Sequence, residues 1–169
     1  RSAEGGTPSE QTGITGSQPL PHGLDTSIDK VELQAIGNAH IDVPEGFSAH
    51  PRVAPVAKKR AQASKEGGID WGFAELLAFG SLAGSGRTVR LAGEDVRRGT
   101  FTQRHAVLID PETGNEYNPI DAYAEAQGNG GRFMVYNSAL TEYAAMGYEY
   151  GYTLGNPDAV VAWERLWWR

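Results

Sequence analysis

An α/β fold, with a largely parallel sheet flanked by helices, is the architecture this sequence predicts. Three observations predict it. Short apolar runs at residues 88–92, 104–110 and 132–136, with a fourth candidate at 159–163, have the length and composition of strands. Stretches with helical spacing alternate with them, as crossover-connected parallel strands require. A chain of 169 residues holds one domain and a tail.

Residues 1–25 are rich in Gly, Ser, Thr, Pro and Gln and poor in large apolar side chains, so they are expected to be a disordered linker. Arg1 stands where a Met would start a chain, which suggests an excised piece. Thr26 and Asp29 form a capping box ahead of Val31, Leu33 and Ile36, predicting a short helix that ends at Gly37. Val43-Pro44-Glu45-Gly46-Phe47 reads as a turn. A second helix is expected over 53–64, with Val53, Val56, Ala57 and Arg60 on one side and Gly67-Gly68 as its stop.

Asp70 is placed to cap a third helix over 71–81. Phe73, Leu76 and Phe79 make that helix apolar nearly all round, the pattern of a helix buried between layers. Glu75 inside it needs a partner if buried and none at the solvent edge. Residues 111–115 read as a turn and 122–131 as a loop or short helix. Ser138 is expected to cap a last helix over 139–150, closed near Gly151.

Composition narrows the function. A net charge of −6 and a pI near 5.2 argue against nucleic acid. The basic runs Lys58-Lys59-Arg60 and Arg97-Arg98 are short enough to be solvated surface. Without cysteine there is no disulfide, thiolate nucleophile or zinc-thiolate site. No apolar run is long enough to cross a bilayer and no signal peptide is apparent, so a cytoplasmic protein that binds no membrane is expected.

Conventional motifs are absent: Gly84-x-Gly86 does not continue into a Rossmann fingerprint, and His22, His40, His50 and His105 lack metal-ligand spacing. His105 opens the second predicted strand, where a lone histidine is more often structural than catalytic. Parallel sheets bind ligands at the carboxyl ends of their strands, which draws attention to Glu94 and Asp95 after the first strand, though a polar turn explains them equally well. Glu142 lies in the first turn of the last helix among Leu140, Ala144, Ala145 and Met146; complementing the helix dipole is a sufficient explanation of it.

Several long strings carry more information than any single motif. Residues 68–82 (GIDWGFAELLAFGSL), 89–107 (VRLAGEDVRRGTFTQRHAV) and 135–152 (VYNSALTEYAAMGYEYGY) resemble the pyrimidine-binding domain of the thiamine-diphosphate-dependent 2-oxoglutarate dehydrogenases. Pro44–Val53 resembles the segment that precedes it in the actinobacterial 2-oxoglutarate decarboxylase type, and the resemblance runs in order over about 25–164.

It implies a transketolase-like fold, with 26–66 as a helical connecting segment and 67–169 as a truncated pyrimidine-binding domain. Glu142 matches the family's glutamate that hydrogen-bonds the cofactor's aminopyrimidine. A carboxyl kept protonated by apolar surroundings could make that contact as a donor. Leu140 and Glu94 match positions beside the cofactor, and His105 has a weaker claim to catalysis.

The implied reaction decarboxylates 2-oxoglutarate and passes the succinyl group to a lipoyl-bearing acyltransferase in the tricarboxylic acid cycle; the actinobacterial variant can release succinate semialdehyde instead. A homodimer is implied, as is Mg2+. The magnesium ligands belong to a Gly-Asp-Gly motif that this sequence lacks, so the chain alone is expected to be inactive. Where the family continues with Ala-Gln-Phe-Gly-Asp-Phe, Arg165-Leu-Trp-Trp-Arg169 stands here, which removes an expected wall of the cofactor site. The alternative is a non-catalytic α/β remnant that only binds.

Overall fold

The structure is a computed structural model that describes Gly23 and residues 25–165. The expected N-terminal linker falls almost wholly outside the described residues, as do Trp167 and Trp168.

Helices α1 (Lys30–Asn38), α2 (Ala54–Glu66) and α3 (Trp71–Gly84) precede β1 (Thr88–Gly93). Then come β2 (Leu108–Ile109), β3 (Glu116–Tyr117), α4 (Pro119–Gln127), β4 (Arg132–Asn137), α5 (Glu142–Gly155) and β5 (Val160–Glu164). The main sheet is parallel, with strand order β4-β1-β5 and Gly93 in register with Asn137 on one side and Glu164 on the other. The predicted α/β class with a parallel sheet is the observed one.

Local signals account for most helix starts. The Asp70 carboxylate accepts the Phe73 N–H at 2.9 Å and opens α3. Asn118 accepts the Asp121 N–H at 3.2 Å, Pro119 takes the first helical position and left-handed Gly128 ends α4. A helix therefore begins three residues before the expected loop or short helix at 122.

Three expectations are corrected. The Thr26–Asp29 capping box does not form: Asp29 holds the N-cap position of α1 with no side-chain cap bond. Ser138 does not cap α5, because its hydroxyl accepts the Leu140 N–H at 3.3 Å and the helix starts at Glu142 after Thr141. The helix then runs past Gly151, since one exposed glycine costs only about 1 kcal/mol.

The third correction concerns the strand expected at 104–110. Only Leu108 and Ile109 are extended, and they pair antiparallel with β3 outside the main sheet. The Arg60 guanidinium donates to the carbonyls of Gln103 at 3.0 Å, Arg104 at 2.6 Å and His105 at 3.4 Å, and His105 has a φ of 42°, so this stretch is held out of extended backbone. Arg60 is buried, which overturns the solvated-surface reading at that residue, whereas Lys58 and Lys59 are exposed as expected. Burial lowers its pKa to about 10, still leaving it charged at neutral pH, and Asp70 opposes that shift.

The two faces of the sheet differ. Val89, Leu91, Phe133 and Val135 point into a core with Phe73, Leu76 and Leu77 of α3, Ile120 and Tyr123 of α4, and Ile36 of α1. Each such side chain contributes roughly 1.5–3 kcal/mol by leaving water. On the opposite face Arg90 is forked onto Glu149 of α5 at 2.7 and 2.9 Å, under the rings of Tyr136, Tyr148 and Tyr152 at 4.9–5.1 Å. The bonds to Glu149 hold the Arg90 pKa above its ordinary value. Removing either partner would leave a buried charge uncompensated.

His40 gives the fold a dependence on pH. Its ring lies edge-on to Phe73 at 5.7 Å, its Nδ1 is bonded to the Ile36 carbonyl at 3.1 Å, and its buried Nε2 has no hydrogen-bond partner among the described residues. Burial, helped by the Arg60 charge, lowers its pKa to about 4 from 6.5. Between those two values the unfolded chain binds a proton that the folded chain does not, so stability is complete above pH 6.5 and drains away as the pH falls toward 4. The expected loss is about 3 kcal/mol. Urea unfolding at pH 7 and pH 4, with His40→Leu as reference, measures it; equal pH dependence in both proteins would dismiss His40 as the cause.

Candidate functional site

The carboxyl ends of the three parallel strands form one edge of the molecule. The chain leaving β1 turns to the α3 face, whereas the chain leaving β4 enters α5 on the opposite face. Connections that diverge in this way open a crevice between adjacent strand tips, where α/β sheets place ligands.

The loop over 94–106 is held rigidly at this edge. Buried Arg104 donates to Glu75 at 2.7 and 3.0 Å, to the Val96 carbonyl at 2.9 Å and to Glu164 at the tip of β5. Burial disfavours its charge, but the bonds to Glu75 and Glu164 outweigh that and raise its pKa. Thr100 donates to the other Glu164 oxygen at 3.1 Å. Glu75 is thus neither fully buried nor free at the solvent edge: its side chain is 35% exposed and paired with Arg104.

Three non-glycine residues of the loop, Asp95, Thr102 and His105, have φ of 58°, 59° and 42°. Such backbone persists only where its surroundings over-determine it. Gly93 at the β1 tip has φ of 150°, and a Cβ there would lie 2.3 Å from the Glu164 carbonyl oxygen, so only glycine fits. Arg97 pairs with Glu116, and Arg98 with Asp95 at 2.9 Å, which makes both arginines loop-ordering residues.

Asn137, which sequence reasoning passed over, ties the β4 tip to this loop. Its Oδ1 accepts the Arg97 N–H at 3.0 Å, and the Ser138 N–H donates to the Gly93 carbonyl at 2.8 Å. An asparagine just beyond an apolar strand is a weak signal, because turns are rich in asparagine.

The sequence-predicted residues lie around this edge. Glu94 follows Gly93 and is exposed. His105 does not open a strand; it lines a cavity of about 350 Å³ with His50, Arg97, Arg98, Val107 and Asn137. Burial, then the charges of Arg60 and Arg98, lower its pKa. Glu142 is the first residue of α5, with its side chain 57% exposed and 3.7 Å from the Arg165 guanidinium. The apolar enclosure expected around it is not formed by the described residues: Leu140 and Met146 are themselves exposed.

Residues 67–167 match the family model of the transketolase pyrimidine-binding domain. The chain belongs to this family. Among relatives of this pyrimidine-binding domain, the 2-oxoglutarate dehydrogenase E1/E2 component of Corynebacterium glutamicum is 68% identical over 154 residues, covering 91% of this chain and 13% of that protein. The multifunctional 2-oxoglutarate metabolism enzyme of Mycobacterium sp. (strain JLS) is 54% identical over 160 residues, covering 93% of this chain and 12% of that protein. The chain therefore spans about an eighth of the length of these relatives and is homologous to that stretch of them.

The fit of this pyrimidine-binding domain to a thiamine cofactor is one-sided. Leu140 lines a cavity of about 250 Å³ whose walls mix the rings of Tyr136, Tyr148 and Trp163 with the Arg90–Glu149 pair, Asn137 and Ser138, and Glu142 stands at the neighbouring helix start. No group of three or more His, Asp or Glu residues placed to hold a metal occurs among the described residues. Among them, too, no helix is long and apolar enough to cross a membrane.

Proposed function

We propose that this chain provides the pyrimidine side of the cofactor site in a thiamine-diphosphate-dependent 2-oxoglutarate dehydrogenase or decarboxylase of the actinobacterial type. The observation that carries the proposal is a carboxylate, Glu142, heading a helix at the ligand-binding end of a parallel sheet, in a chain 68% identical to part of a 2-oxoglutarate dehydrogenase component. When bound, thiamine diphosphate supplies a carbon nucleophile and an electron sink for the loss of carbon dioxide from a 2-oxo acid.

In this reading Glu142 donates a hydrogen bond from its carboxyl to a ring nitrogen, and Leu140 packs against the ring. Glu94 and His105 face the reacting centre from the loop after β1. The exposed face of α5, with Tyr143, Met146, Tyr150 and Leu154, meets a second subunit. That subunit encloses Glu142 and brings the diphosphate and magnesium side. Residues 26–66 connect to the preceding domain, residues 67–169 form the pyrimidine side, and the succinyl product goes to a lipoyl-bearing acyltransferase in the tricarboxylic acid cycle. The setting is the cytoplasm.

The full-length protein with thiamine diphosphate and Mg2+ is expected to release carbon dioxide from 2-oxoglutarate. The 169-residue chain alone is expected to show neither saturable cofactor binding by calorimetry nor turnover, because it brings one side of the site. A full-length protein inert toward 2-oxoglutarate would refute the proposal; turnover by the isolated chain would refute the division of labour.

A further inference from the structure

We infer that Asn137 is a substrate-binding residue, whose side-chain amide donates a hydrogen bond to an oxygen of the acidic substrate at the strand tips. The inference rests on the proposed function and adds to it a residue and a contact.

The orientation of the amide carries the argument. Its oxygen is engaged by the Arg97 N–H at 3.0 Å, which settles which way the side chain faces and turns the NH2 group away from the loop. The loop bearing that N–H is itself immobilised, by Arg60 on the carbonyls of residues 103–105 and by Arg104 on Glu75, Val96 and Glu164. Asn137 is thus a neutral donor held in place before a ligand arrives, which reduces the ordering cost of binding.

Its position is equally specific. Asn137 is the last residue of β4, exposed, where the connections from β1 and β4 part to opposite faces. It lines the cavity containing Leu140 and Trp163, the cavity containing His105, and a third of about 470 Å³ along the edge of β4. Among the described residues no other borders all three. Arg97 and Arg98 already hold Glu116 and Asp95, so Asn137 offers a donor where neighbouring cations are engaged.

The test uses the full-length Corynebacterium glutamicum relative carrying residues 25–164 of this chain in place of its own. Asn137→Asp keeps an oxygen for the Arg97 N–H but replaces the donor with a negative charge facing an anionic substrate. The KM for 2-oxoglutarate is expected to rise at least tenfold, while hydrogen exchange at the Arg97 amide stays protected. Asn137→Ala should raise KM as well, and in addition release that amide, since nothing then accepts from it. A parental KM in either variant overturns the assignment to Asn137. A chimera that releases no carbon dioxide from 2-oxoglutarate before any substitution overturns the proposed function instead, and the inference falls with it.

Discussion

On the proposed function, Glu142→Gln in the full-length protein is expected to lower 2-oxoglutarate turnover by about 10²–10⁴-fold, the range for loss of a positioned proton-sharing group, with almost no change in stability. The two halves of that expectation have separate causes. Glutamine fills the same space and keeps a polar end, but it has no proton to share in the way a carboxyl has, so activation of the cofactor suffers. The fold does not notice, because the side chain is 57% exposed and its partner Arg165 is 3.7 Å away. Exposed pairs of this kind contribute about 0–1 kcal/mol. Steady-state turnover and urea unfolding of the same preparation measure both quantities. Turnover close to that of the unsubstituted enzyme would remove Glu142 from its role, and a large loss of stability would mean that the glutamate serves the fold.

The second large effect is structural. Arg104→Met is expected to destabilise the chain by about 3 kcal/mol. The arginine is 4% exposed at its side chain, whereas Glu75 and Glu164 are 35% and 24% exposed, so water can partly take over the carboxylates once the guanidinium is gone. That places the cost toward the lower end for breaking a buried pair.

Arg104→Lys should recover little of it. One ammonium cannot reproduce a fork that meets two carboxylates and a carbonyl together. Because Arg104 joins α3, β5 and the loop after β1, the 94–106 backbone should also exchange its amide hydrogens faster. A stability loss under about 0.5 kcal/mol, the size of an ordinary surface change, would contradict the role assigned to this network.

These two residues mark how far the sequence could be read. Glu142 was visible because a long, unusual string surrounds it, although the helix it heads starts after Thr141 and not at the expected Ser138 cap. Its exposure was not visible: Leu140, Ala144 and Met146 suggest an apolar enclosure, yet Leu140 and Met146 are exposed themselves. The strand expected at 104–110 had suitable composition but lost its carbonyls to Arg60, more than 40 residues earlier. Asn137 carried only a weak signal, since the N–H that orients it is donated from 40 residues away.

What the sequence determined by itself is what neighbouring residues decide among themselves. The Asp70 cap, the apolar strands β1, β4 and β5, and the parallel alternation of strand and helix all arise from forces acting within a turn or a few residues. Tertiary structure alone decided the strand order β4-β1-β5, the burial of Arg60 and Arg104, the strained loop at the sheet edge and the orientation of Asn137. Each of these depends on desolvated charges and on hydrogen bonds between segments far apart in the chain, and such partners are chosen only when the layers come together.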